Sequence, residues 1–290
     1  MTTLRDAAKG LRAWPPLNRP ATTAVRAILR RPPEAVAAHL PRVGPVQSRL
    51  PNGARMRMWS GGDDWVPNRV FWFGWNGYET GESAIFWARA RTARVTLDIG
   101  AHVGFYSLLA GHANPAGRVF GFEAYGPTAA RFRRNLAMNG LPNVEVVQVA
   151  VGEKVGEAPF FHVPTGIPCS AGLAGHVLLP YHPHSVTTMV PVTTVDTFLA
   201  ERRLTGVDLV KMDTEGTEPQ VLEGMAGTLR RDHPLVIAEV LGGRDKEAPL
   251  RDLMTPLGYS MHIILPDGPH PRDEVNHDTG GNFLFVPPTA

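Results

Sequence analysis

Residues 95–105 read Val95-Thr-Leu-Asp-Ile-Gly-Ala-His-Val-Gly-Phe105. The apolar run predicts a strand over 95–99, then a glycine-bearing turn and a helix over 103–111. A second apolar strand, 118–122, ends on the acid Glu123. Strand, turn and helix followed by an acid at the next strand end form a nucleoside-binding arrangement. Gly100 and Gly104 let the backbone approach a ligand, and the acid accepts hydrogen bonds from two ribose hydroxyls.

The turn itself separates two classes of ligand. A dinucleotide site shows G-x-G-x-x-G, because a pyrophosphate sits against bare backbone at a helix N-terminus. Here the order is Asp98-x-Gly100-x-x-x-Gly104, with His102 where a middle glycine would stand. That side chain crowds a pyrophosphate, and Asp98 repels one. A nucleoside with an amino-acid tail needs no such groove, and Asp98 can orient the loop or a water beside its ammonium group.

Working outward, strands at 95–99, 118–122, 144–151, 207–212 and 235–240 alternate with helices at 103–111, 127–138, 218–230 and 246–256. Two late strands, 259–265 and 282–286, lack a long helix between them. The pattern predicts an α/β fold with a seven-stranded, mainly parallel, Rossmann-like sheet, helices on both faces and a terminal antiparallel hairpin. That pattern resembles the sheet of class I methyltransferases. Residues 1–75 read as a basic, Pro/Arg-rich extension with helical stretches at 21–30 and 33–40 and short strands at 46–50, 55–59 and 70–75. Residues 76–290, opening with a helix at 80–91, form the main domain, interrupted by an insertion at about 156–195 that is suited to act as a lid.

Composition fits a soluble enzyme: 290 residues, 43% hydrophobic and 19% charged, with formal net charge +2. Residues 1–50 hold nine Lys or Arg against Asp6 and Glu34, a local excess of +7. A loosely packed extension or an oligomer contact explains that excess better than RNA binding, since aromatic residues are not interleaved with the charges. The lone Cys169 excludes an internal disulfide, and no run is long enough for a membrane span or a signal peptide. The cytoplasm is the expected location. The expected partner is a small-molecule acceptor, with neither membrane nor nucleic acid and with self-association through the N-terminal extension.

Several motifs resemble the FkbM-type methyltransferases over roughly residues 70–286. They are Leu97-Asp-Ile-Gly-Ala-His-Val-Gly-Phe-Tyr106, Phe122-Glu123, Asn135-Leu-Ala-Met-Asn-Gly140 and Val192-Thr-Thr-Val-Asp-Thr-Phe198. The most specific is Asp208-Leu-Val-Lys-Met-Asp-Thr-Glu-Gly-Thr-Glu218, followed by Val221-Leu-Glu-Gly224 and Ile237-Ala-Glu-Val240. His102 and Ala124 depart from the family's usual Asn and Pro. The resemblance implies methyl transfer from S-adenosyl-L-methionine, leaving S-adenosyl-L-homocysteine, to a hydroxyl of a sugar or secondary metabolite. Cofactor contacts are expected from Tyr78, Glu79, Asp98, Gly100, His102, Gly104, Phe105, Glu123, Ala124, Ala150 and Asp213.

Catalysis is read from strand ends. Strand 207–212 runs into Asp213, which therefore faces the reacting centre as a hydrogen-bond acceptor or base for an acceptor hydroxyl. Glu239 ends the neighbouring strand and faces the same cleft. Within the insertion stand His162, His176, His182 and His184, of which His182 or His184 is a candidate base on a closing lid. Thr217 and Gln220 fit a capping box at the next helix, with Glu218 complementing its dipole. Asp213, Glu215 and Glu239 carry oxygen atoms of the kind Mg²⁺ takes, but their spacing does not require a metal and a metal-free site is the reading adopted. Two alternatives remain. A nicotinamide-dependent oxidoreductase calls for the missing G-x-G-x-x-G. A nucleic-acid methyltransferase calls for an N/D-P-P-Y-type loop where this chain has Asp213-Thr-Glu-Gly216.

Overall fold

The computed structural model describes residues 15–62, 64–164, 166–167, 171–175, 184–240, 244–274 and 281–288. Its centre is strand β3 (Val95–Ile99), buried at every position. On one side β3 pairs in parallel with β4 (Arg118–Phe122), which pairs with β5 (Val144–Val147). On the other side lie β9 (Leu209–Met212) and β10 (Leu235–Val240), also parallel. Strand order therefore reverses between β3 and β9, and in such sheets ligands bind outside the carboxyl ends of the strands at that reversal.

The sheet is completed by β13 (Gly281–Val286), antiparallel to β10, and by β11 (Ser260–Leu265), antiparallel to β13. An extra strand, β12 (Gly268–Pro271), hairpins onto β11. The sheet thus has eight strands rather than seven, in the order β12-β11-β13-β10-β9-β3-β4-β5.

Three expected elements differ. The apolar stretch 70–75 is not a strand but part of helix α3 (Trp65–Phe73), following α1 (Pro15–Leu29) and α2 (Glu34–His39). Val66 and Val70, and likewise Pro67 and Phe71, fall one turn apart and are buried. Gly74, at φ 84°, ends the helix, and so short an apolar run cannot be assigned by periodicity. The expected strand 144–151 divides in two. Its second piece, β6 (Ala150–Val151), leaves the main sheet and pairs with β8 (Val186–Thr193), which is antiparallel to β7 (Gly156–His162). The described part of the insertion is therefore largely a small sheet.

The expected helix 218–230 breaks into α8 (Glu218–Glu223) and α9 (Ala226–Asp232), numbered after α4 (Thr80–Ala90), α5 (Phe105–Ala113), α6 (Gly126–Asn139) and α7 (Val195–Glu201). Asp196 explains the break. Its backbone N–H donates to the Gly224 carbonyl at 3.1 Å. Its carboxylate accepts from Gly227 N, Thr228 N and Thr228 Oγ1 at 2.8, 2.8 and 2.6 Å, satisfying the free N–H groups that open α9.

The N-terminal segment packs as a layer on this sheet. Val46, Met56, Met58 and Trp72 share one buried cluster with Leu108, Leu109 and Ile237. Part of the segment's positive charge is used internally: Arg26 and Arg42 each stand 4.9 Å from the Phe71 ring. Its hairpin, β1 (Gly44–Arg49) and β2 (Arg55–Ser60), is fastened to α6 by two asparagines one turn apart. Asn135 accepts from Trp59 N at 2.7 Å and donates to Val103 O at 2.9 Å. Asn139 accepts from Arg57 N at 2.8 Å and donates to Arg57 O at 2.7 Å. Together they satisfy alternate residues on the free edge of β2.

Because Asn135 is wholly buried, Asn135→Ala strands a backbone N–H and a carbonyl. Urea denaturation is expected to show a loss of about 2–3 kcal/mol.

Candidate active site

A cleft opens at the strand reversal, with about 1060 Å³ of empty space counted to its open mouth. Its floor is the end of β3 (Asp98, Ile99, Gly100), the turn Ala101-His102-Val103, and Lys211 and Asp213 at the end of β9. One wall is Phe122, Glu123, Ala124 and Tyr125 after β4, with Val149 to Val151. The other is Tyr78, Phe105 and Tyr106, and the loop Thr214, Glu215 and Thr217. Trp65, 42% exposed, stands at the rim, and Phe160 and Ala171 to Leu173 come from the insertion.

Most expected ligand contacts therefore meet in one place: Tyr78, Asp98, Gly100, His102, Phe105, Glu123, Ala124, Ala150 and Asp213 all line the cleft. Gly104 and Glu79 do not. Gly104, at φ 86°, leaves the Phe132 ring the space that a β-carbon would take. Glu79 sits behind the wall and accepts from the Tyr106 hydroxyl at 2.6 Å. At Gly100, φ 79°, a β-carbon would collide with the Asp213 carbonyl oxygen, so this glycine lets two chain reversals touch.

Asp98 orients the protein around the turn. One of its oxygens accepts from Ser107 N at 2.8 Å and Ser107 Oγ at 2.6 Å, tying the floor to α5. Burial pushes it up to about 6 against those hydrogen bonds. Glu123 is 8% exposed. It accepts from Tyr125 N at 2.7 Å and from the His102 backbone, and burial pushes it up to about 8. His102 at φ 50°, Glu79 at φ 47° and Glu215 at φ 57° hold left-handed conformations around the site, a strain that gathers where backbone is shaped for a ligand.

The catalytic candidates separate. Asp213 lines the floor, and Glu239 lies behind it, joined by a side-chain hydrogen bond. Burial, then the charge of Asp213, pushes Glu239 up to about 10. His184 is exposed, in the turn before β8, and forms no part of the wall. His176, His182 and Cys169 lie outside the described residues. His162 is buried on β7, bonded to Thr188 Oγ1 at 2.9 Å, with its ring 4.2 Å from that of Tyr125.

The expected capping box does not form. Thr217 Oγ1 turns back to Thr214 O at 3.3 Å, and Glu218 instead clasps the loop, accepting from Thr214 N and Oγ1, both at 2.8 Å. Among the described residues no group of three or more His, Cys, Asp or Glu could hold a metal ion, and no helix is long and apolar enough to cross a membrane.

Sequence reasoning missed Lys211, Glu82 and Tyr125. Lys211 carried a signal: a charged residue inside Leu209-Val-Lys-Met212, a strand buried throughout, demands buried counter-charges. Glu82, in an ordinary helix, carried none.

Comparison with known proteins follows this geometry. The family model described as the Methyltransferase FkbM domain matches residues 98–261. "Methyltransferase 1" of Beauveria bassiana (strain ARSEF 2860) is 22% identical over 185 residues, covering 59% of this chain and 74% of that protein. A crystal structure of Methyltransferase FkbM from Methylobacillus flagellatus KT aligns at 16% identity with a TM-score of 0.43. That alignment covers 67% of this chain and only 44% of the other. The O-methyltransferase TomG from Streptomyces achromogenes aligns at 16% identity, TM-score 0.39, over 70% of this chain and 78% of its own.

The buried carboxyls set a pH dependence of stability. An unfolded glutamate loses its proton near 4.5, whereas folded Glu239 and Glu123 keep theirs to about 10 and about 8. Folding therefore takes up protons across that window, and stability falls as pH rises through it. The melting temperature should drop between about pH 6 and about pH 9, and Glu239→Gln should flatten the drop.

Proposed function

The chain belongs to the FkbM methyltransferase domain family, and from that premise we propose that it transfers the methyl group of S-adenosylmethionine to a hydroxyl of a small-molecule acceptor, a secondary metabolite or a sugar. The observation that carries this reading is Glu123. It is a buried carboxyl at the end of β4, facing the cleft at the reversal of strand order. A carboxylate has about four acceptor positions. Two backbone N–H groups use part of that capacity, leaving enough for a pair of ribose hydroxyls. Ala124, Ala150 and Tyr125 offer a small, largely apolar wall suited to a purine.

When bound, S-adenosylmethionine supplies an electrophilic sulfonium methyl group. The chain's own residues orient the acceptor and manage its proton. In the proposed reaction Asp213 accepts the proton of the acceptor hydroxyl as that oxygen gains its carbon substituent. Glu239, protonated over the neutral range, donates a hydrogen bond to Asp213 and so fixes its orientation. His102 and Phe105 shape the cofactor side, and Trp65 and the insertion border the acceptor side. His184, exposed and off the wall, is left out of this reading.

Calorimetry tests the assignment without an acceptor. S-adenosylhomocysteine should bind while NAD does not, and Glu123→Ala should weaken binding about 30-fold or more. Sugar hydroxyls favour the ionised carboxylate, so binding near neutral pH should release protons, read from buffers of different ionisation enthalpy. Unchanged affinity in Glu123→Ala would sink the proposal.

A further inference from the structure

The cleft floor contains one lysine in a nearly closed set of acids. Lys211 on β9 is 1% exposed, and its ammonium lies 3.0 Å from Glu82 Oε1 on α4 and 3.8 Å from Asp213 Oδ2. It also donates to Met212 O at 3.3 Å and stands 5.3 Å from the Tyr106 ring. The Glu82 side chain is equally buried, and its Oε2 has no hydrogen-bond partner among the described residues. A pairing of this kind, sealed between two elements, contributes little net stability. Its position beside Asp213 gives it a use.

We propose that Lys211 is a positioning residue: anchored by Glu82, its ammonium sets the charge that the Asp213–Glu239 carboxyl pair presents to a bound sulfonium. This rests on the cofactor reading above and extends it to the discrimination between S-adenosylmethionine and S-adenosylhomocysteine, which differ by one methyl group and one positive charge.

Among the described residues, several packed elements bring titratable groups to the pair. Glu82 comes from α4, with Tyr78 and Glu79 just before it. Asp98 comes from β3, Tyr106 from α5, and Glu215 from the loop after β9. Among these described groups all but Lys211 are acidic or neutral, and Lys211 is the cation. Burial disfavours its charge, but the surrounding carboxylates outweigh that and hold it well above the ordinary lysine value. Its charge opposes uptake of a further proton by the carboxyl pair. Glu82 neutralises part of that charge and, being held on α4, fixes where the ammonium sits.

Titration calorimetry with both nucleosides at neutral pH reads the effect. The ratio of their dissociation constants reports the charge that the site presents to the sulfonium. Lys211→Met should raise the preference for S-adenosylmethionine over S-adenosylhomocysteine by about fivefold or more. Glu82→Gln should leave that preference in place or lower it. The double variant Lys211→Met/Glu82→Gln, which strands no buried charge, should keep the raised preference and serves if the single lysine variant fails to fold. A merely structural pairing would weaken both ligands alike and leave the ratio unmoved. An unmoved ratio in the double variant, or a raised preference in Glu82→Gln, overturns the proposal. Failure of the parent to bind either nucleoside would instead overturn the cofactor reading.

Discussion

The close approach of two chain reversals governs this molecule. The turn after β3 and the loop after β9 touch at Gly100 and the Asp213 carbonyl, with no room for a side chain between them. That contact fixes the floor of the cleft and the position of Asp213 relative to Asp98. The rest of the local architecture holds it closed. Asp98 ties the floor to α5 through Ser107, and Glu218 folds the loop after β9 back on itself. The residues that shape the backbone are distinct from those left facing the cleft.

Burial then decides the chemistry. Carboxyl groups at Glu123, Glu82 and Glu239 are withdrawn from water, and each is displaced upward by that withdrawal. Such a site is costly to assemble empty and gains from any ligand that brings positive charge or hydroxyl donors. The FkbM methyltransferase domain therefore confines its acidity to a region where the surrounding core, not solvent, sets the proton affinity.

The parallel core was legible in the sequence because its strands are buried on both faces and read as unbroken apolar runs, as at Val95–Ile99 and Leu235–Val240. Glu123 was legible because it follows such a run. The stretch 70–75 was misread because six residues cannot distinguish a helix from a strand. The break at Gly224 was hidden because its cause, Asp196, lies 28 residues upstream in sequence. Gly104 showed that a glycine is required but not by what: a phenylalanine ring and a ligand leave the same mark. The pairing of Lys211 with Glu82 spans more than a hundred residues, and only one of its partners looked out of place.

The asparagine clasp on β2 changes what a short motif records. Asn135 and Asn139 lie within the matched stretch 98–261, yet the groups they satisfy at Arg57 and Trp59 belong to a hairpin well upstream of it. An N-x-x-x-N pair at the end of the helix after the cleft acid Glu123 is thus the imprint of a neighbouring part of the chain. A shortened chain lacking residues 44–60 would leave two amides facing water on α6, marking where its missing layer belongs.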